Sequence, residues 1–212
     1  MIIKSYEPNI PKHFRHSVAN CFYFNRNIKV GILGGSFDPA HDGHLHISNV
    51  ALKRLKLNEI WWLVSPQNRL KTKNITSTFY NRLSIARNVA NKNKQIRVLD
   101  LEHRYKILSS WQTVNFLKEK TKITKFFWIM GSDNLLNFNK WLKPKQISKT
   151  FPVAVIERPS YSYRALNCLG AKILGKRLKK INLKLPTGKN RSWVFLKDKL
   201  NQTSSTRIRN SN

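Results

Sequence analysis

The run Gly34-Gly35-Ser36-Phe37-Asp38-Pro39-Ala40-His41-Asp42-Gly43-His44 brings together the residue types that handle phosphate. Two glycines directly after an apolar stretch permit a tight turn and let an anion approach the backbone. A helix beginning near Gly43 would turn its free N–H groups, and the positive end of its dipole, toward the same space. His41 and His44 flank Gly43 at a spacing that lets both rings face one ligand across a helix start. The pattern is neither a Walker phosphate loop, since no Gly-Lys-Ser/Thr follows, nor a G-x-G-x-x-G dinucleotide fingerprint. A histidine at a helix start is also a natural capping or packing residue. A histidine pair can also hold a metal, but no cysteine or third histidine stands where it would complete such a site. His46 is offset from the turn and reads as a surface or core residue.

A second cluster closes the chain: Thr203-Ser204-Ser205-Thr206-Arg207-Ile208-Arg209. Hydroxyls, helix-start N–H groups and a guanidinium suit a polyphosphate tail. Taken alone, the same residues also read as an ordinary N-cap followed by surface arginines.

These residues need a scaffold, and the hydrophobic pattern supplies one. Ile28 to Leu33 reads as a buried parallel strand, and Leu45, Ile47, Val50, Ala51, Leu52 and Leu55 recur at helical spacing over 43–56. Ile60 to Val64 is a second strand, and Phe79, Leu83, Ile85, Ala86, Val89 and Ala90 make a second helical stripe. Ile96 to Leu101 reads as a strand and 109–120 as a helix. Phe126 to Met130 is a strand ending in Gly131, with short helical material around Leu135-Leu136 and Ile147. Pro152 to Ile156 and Trp193 to Leu196 complete the strands, while 160–190 is poorly patterned. Strands alternating with helices imply a Rossmann-like α/β fold, a doubly wound parallel sheet with helices on both faces. Residues 1–27, polar and basic, read as an extension ahead of one domain spanning 28–212.

A length of 212 residues accommodates one such domain with a full core, and a hydrophobic content of 41% excludes a disordered chain. No apolar run is long enough to cross a bilayer, and the first residues lack a secretory signal's apolar stretch and cleavage site. Cys21 and Cys168 form neither a disulfide framework nor a metal pair, which points to free thiols in a reducing cytoplasm. Forty Lys+Arg against ten Asp+Glu leave a net charge of +30, a field that attracts polyanions. The cations are spread along the chain, densest at Lys176-Arg177-Leu178-Lys179-Lys180. They are compatible with non-specific nucleic-acid binding, although the aromatics fall mostly in strand cores instead of alternating with cations along a groove.

Taken together, the long motif beginning at Gly34 and continuing into His41-x-Gly43-His44 resembles the H-x-G-H nucleotidyltransferases. Within them the chain is similar to the bacterial nicotinate-nucleotide adenylyltransferase family, over about 28–210. Thr203 to Arg209 looks like that family's I-S-S/A-T-x-I-R element. Trp61 to Asn68 resembles its second strand and substrate-side loop, and Ser109-Ser110-Trp111-Gln112-Thr113 its Y-T-x-x-T element. Gly131-Ser132-Asp133-Asn134-Leu135 through Trp141 is similar to its G-x-D-S/N-L…F…W segment, and Glu157 to Tyr161 to its R-P-G-Y turn. Ser109 and Ser110 stand where tyrosine and threonine are usual, Ser160 where glycine is.

The resemblance implies adenylyl transfer from ATP to nicotinate mononucleotide, a step of NAD biosynthesis. His41 and His44 would be the catalytic residues, on the ATP phosphates. Gly34, Gly35, Ser36, Phe37, Gly131, Asp133, Ser204, Ser205, Thr206 and Arg209 would complete the ATP site. Asn68, Ser110, Thr113 and Trp141 would hold the acceptor, with Trp141 against the pyridine ring. The expected cofactor is Mg²⁺ carried with ATP, without a dedicated metal site. Nicotinamide mononucleotide and phosphopantetheine are the alternative acceptors.

Overall fold

Seven strands lie side by side in one sheet, all parallel, in the order β3-β2-β1-β4-β5-β7-β6. A computed structural model describes residues 27–66, 77–158, 162–179 and 192–197 of the chain. In chain order the elements are β1 (Lys29–Gly35), α1 (Asp42–Leu55), β2 (Glu59–Val64), α2 (Phe79–Ala90), β3 (Ile96–Leu99), α3 (Leu101–Arg104) and α4 (Ser110–Lys120). Then follow β4 (Lys125–Gly131), α5 (Ser132–Leu136), a 3₁₀ turn at Phe138–Lys140, α6 (Pro144–Thr150), β5 (Val153–Ile156), α7 (Ser162–Leu166), α8 (Leu169–Leu174), β6 (Lys176–Leu178) and β7 (Ser192–Leu196).

The strands are apolar on both sides because both faces are covered. Ile60, Trp62, Phe127 and Ile129 join Leu45, Val50 and Leu83 in a core under α1 and α2. Trp61, Leu63, Trp128 and Met130 point the other way and join Val114, Leu117, Ile147 and Leu174 under α4, α6 and α8. This is the doubly wound arrangement expected from the sequence. Among the described residues no helix is long and apolar enough to cross a membrane.

Two local expectations change. The apolar run Ile96–Leu101 does not stay extended: β3 stops at Leu99, and the Arg104 N–H donates to Asp100 O (3.0 Å) to wind α3. Leu101 is buried either way, so periodicity could not separate the two conformations. The basic cluster at Lys176 is an edge strand, β6, with Lys176 and Arg177 exposed. Exposed cations on an edge discourage pairing with another chain.

From β1 the chain first builds outward to β2 and β3, then returns to place β4 on β1's other side. The carboxyl ends of β1 and β4 therefore flank the crevice where doubly wound sheets bind ligands. Gly34 and Gly35 end one of these strands and Gly131 the other.

Candidate active site

His41 and His44 meet at the start of α1. His41 is its N-cap: the Gly43 N–H donates to His41 Nδ1 (3.0 Å), and the His41 N–H donates to His44 Nδ1 (3.2 Å). The capping reading and the catalytic reading are compatible, since the caps engage Nδ1 of each ring. With Nδ1 accepting, the remaining ring proton sits on Nε2. The ring centroids are 4.0 Å apart. The result is a pair of N–H donors at the positive end of a helix. His41 is buried, and that burial, aided by the Arg158 cation and opposed by Asp42, pushes its pKa down to about 4. At neutral pH it offers a hydrogen bond and no charge.

His44 is held from below. Phe37 lies under it with centroids 4.7 Å apart and stacks on Trp62 at 5.0 Å. Trp62 Nε1 donates to Ser48 Oγ, and Ser48 Oγ to His44 O, both at 2.8 Å, which ties the first turn of α1 to β2. Phe37 is 1% exposed: its ring packs inward, between Trp62 and His44.

Gly34, Gly35 and Ser36 are partly exposed at the end of β1. The glycines do not supply the turn, because the residue in the left-handed region is Phe37 (φ 48°). A methyl group on either would meet only Trp128 or Phe37 at 3.5 Å. Neither backbone conformation nor internal packing demands glycine here. Gly131 differs. A methyl there would collide with Asp133 Oδ1 and come within 3.1 Å of Arg158 Nε. Asp133 Oδ1 faces Arg158 Nε at 3.6 Å, and the Arg158 N–H donates to Ser132 Oγ (2.9 Å). This polar group sits on the β4–β5 side of the crevice, with Arg158 near enough to His41 to affect its titration.

On the expected acceptor side, Ser110 opens α4 and is half-buried. Ser109 caps that helix: its Oγ accepts from Gln112 N–H (3.3 Å), while Gln112 Oε1 accepts from the Leu108 N–H (3.0 Å). The serine found in place of tyrosine therefore has a local role. Thr113 is fully buried and its hydroxyl donates to Glu102 Oε1 (2.7 Å). There it fastens α4 to α3. Trp141 is half-buried, edge-on to Phe138 (5.2 Å) and Trp128 (6.1 Å). Asn68, Ser204, Ser205, Thr206 and Arg209 lie outside the described residues, as does the extension over 1–26.

Burial raises the Glu102 carboxyl from 4.5 to about 7, against the opposing hydrogen bond from Thr113. The folded protein therefore keeps a proton that the unfolded chain releases, and stability falls as pH rises through that window. The loss amounts to roughly 3 kcal/mol above it. Glu102→Gln, which keeps an acceptor for Thr113, is expected to gain stability relative to the parent between pH 5 and 8 in thermal melts. A gap that does not change with pH would contradict this.

A cytidylyltransferase-like family model matches residues 32–211. A protein of Bradyrhizobium sp. (strain ORS 278), named a probable nicotinate-nucleotide adenylyltransferase, is 37% identical over 86% of this chain and 96% of its own length. One of the same name from Ruegeria sp. (strain TM1040) is 35% identical over 85% of this chain and 95% of its own. The chain belongs to the nicotinate-nucleotide adenylyltransferase family, within the cytidylyltransferase-like proteins. Plasmodium falciparum nicotinic acid mononucleotide adenylyltransferase in complex with NaAD superposes with a TM-score of 0.66 over 86% of this chain and 83% of that one. At 18% identity that likeness speaks for the shared fold alone.

In this adenylyltransferase chain three side chains near the site carried no assignment from the sequence. Arg158 was visible only as part of a turn motif, Glu102 lay just past what read as a strand, and Arg82 lay within an apolar helical stripe. A charged residue on a buried stripe is the signal that would have singled out Arg82.

Proposed function

We propose that the chain transfers the AMP moiety of ATP to nicotinate mononucleotide, giving nicotinate adenine dinucleotide and pyrophosphate. The observation that carries this reading is the pair of histidines whose Nδ1 atoms cap the α1 N-terminus, beside the partly exposed glycine end of β1. The names of its close relatives support the acceptor.

An oxygen of the acceptor's 5′-phosphate attacks the α-phosphorus in line. The bond to the bridging oxygen breaks, and pyrophosphate leaves with that electron pair. The acceptor phosphate is already an anion at neutral pH, so no general base is required, and the chemistry rests on positioning and charge stabilisation. His44 donates to the α-phosphoryl oxygens where charge builds, and neutral His41 assists from the helix cap. Gly34, Gly35 and Ser36 let the triphosphate approach β1. Asp133 accepts from nucleotide hydroxyls beside Gly131, and Arg158 adds positive charge. Ser204, Ser205, Thr206 and Arg209 take the β- and γ-phosphates, while Ser110, Asn68 and Trp141 face the acceptor. Among the described residues no three His, Cys, Asp or Glu side chains gather into a cage. Mg²⁺ arriving on the triphosphate would supply charge neutralisation.

Pyrophosphate release from Mg-ATP, measured in parallel with nicotinate mononucleotide, nicotinamide mononucleotide and phosphopantetheine, tests the reading. Release with nicotinate mononucleotide well above the other two is expected. Release with another acceptor would keep the mechanism and overturn the acceptor, and release with none would overturn both.

A further inference from the structure

Arg82 is a cation at 1% exposure in α2, outside the groups that would touch either substrate. Its guanidinium is spent on backbone carbonyls from three separate segments. Nη1 donates to Ser36 O (2.5 Å) and Ser65 O (2.8 Å), Nη2 to Pro66 O (2.9 Å), and Nε to Ser77 O (3.3 Å). Phe79 lies against it, 5.7 Å from ring centroid to guanidinium carbon, and Asp38 supplies nearby negative charge. Ser36 belongs to the turn after β1, on the ATP side of the proposed site. Ser65 and Pro66 begin the loop after β2, on the acceptor side. The Ser65 N–H also donates to Gly35 O (2.9 Å), so the two loops touch directly where Arg82 grips them.

Burying a cation is costly, and a core position in a helix would ordinarily take an aliphatic residue. A planar fork that reaches several carbonyls at fixed angles is what arginine offers and lysine does not. We propose that Arg82 is a positioning residue that locks the turn after β1 to the loop after β2, fixing the separation at which ATP and its acceptor meet. The kinetic part rests on the adenylyl-transfer reading; the mechanical part does not.

Arg82→Lys tests both. Because each loop still recognises its own substrate, the separate KM values should stay within about threefold of the parent, while kcat falls on the order of tenfold or more as alignment is lost. Hydrogen exchange at the amides of Ser36, Phe37 and Ser65 should quicken together. A residue that only stabilised the fold would lower the melting temperature and leave kcat and both KM values of the folded enzyme unchanged, and that result would overturn the proposal. Should Arg82→Lys not fold, the parent decides: these three amides should open as one unit, with the same dependence on urea, and independent opening would overturn the clamp. If the parent shows no adenylyl transfer at all, the functional reading fails, and the exchange data still judge the clamp.

Discussion

His44→Ala lowers kcat on the order of a hundredfold or more, the cost of removing one donor to a developing oxyanion. The change should leave the fold in place. The ring is half-exposed, so its removal opens no sealed cavity, and the lost reciprocal cap with His41 costs about 1 kcal/mol. KM for ATP should move much less than kcat if the interaction forms mainly in the transition state. Steady-state kinetics on a variant with a cooperative melt distinguishes the outcomes. A rate near that of the parent would remove His44 from the chemistry and leave it as a capping residue.

Phe37→Ala is expected to damage stability and turnover together. The side chain is sealed between Trp62 and His44, and truncating a buried phenylalanine costs about 3–5 kcal/mol. Alanine inherits the same left-handed backbone (φ 48°), so the substitution brings no relief of strain to offset the lost packing. Phe37→Leu separates the two effects: it refills much of the volume while losing the flat face beneath the His44 ring. Chemical denaturation should show a smaller loss for leucine than for alanine, whereas kcat should fall in both. Full activity in the leucine variant would mean that His44 needs no aromatic floor.

The sheet was legible because most of its strands, with both faces buried, are short unbroken apolar runs, as at Ile60–Val64 and Phe126–Met130. The histidine turn was legible because its residue types are uncommon in that order. Signals failed where burial and conformation part company. Leu101 is apolar and buried whether it ends a strand or starts α3. Lys176–Leu178 is an edge strand whose exposed cations hide any alternation. Phe37 and Thr113 sit inside motifs that suggest ligand contact, yet both are buried and act through neighbours, one through His44 and the other through Glu102. Arg82 is marked in the sequence only as a charge on a buried stripe; its role follows from the carbonyls of Ser36, Ser65, Pro66 and Ser77 that converge on its guanidinium. The glycines at 34 and 35 were read both as turn-makers and as room for an anion; the left-handed residue of the turn is Phe37, which removes the first of these reasons.

In the proposed reaction the bond broken is the one between the α- and β-phosphates of ATP, with AMP passing to the mononucleotide. ATP labelled at the α-phosphate, incubated with the chain, Mg²⁺ and nicotinate mononucleotide, tests it most directly. The label should appear in nicotinate adenine dinucleotide, in equal amount to the pyrophosphate released. Label left in ADP, or in free AMP with the acceptor unchanged, would contradict it.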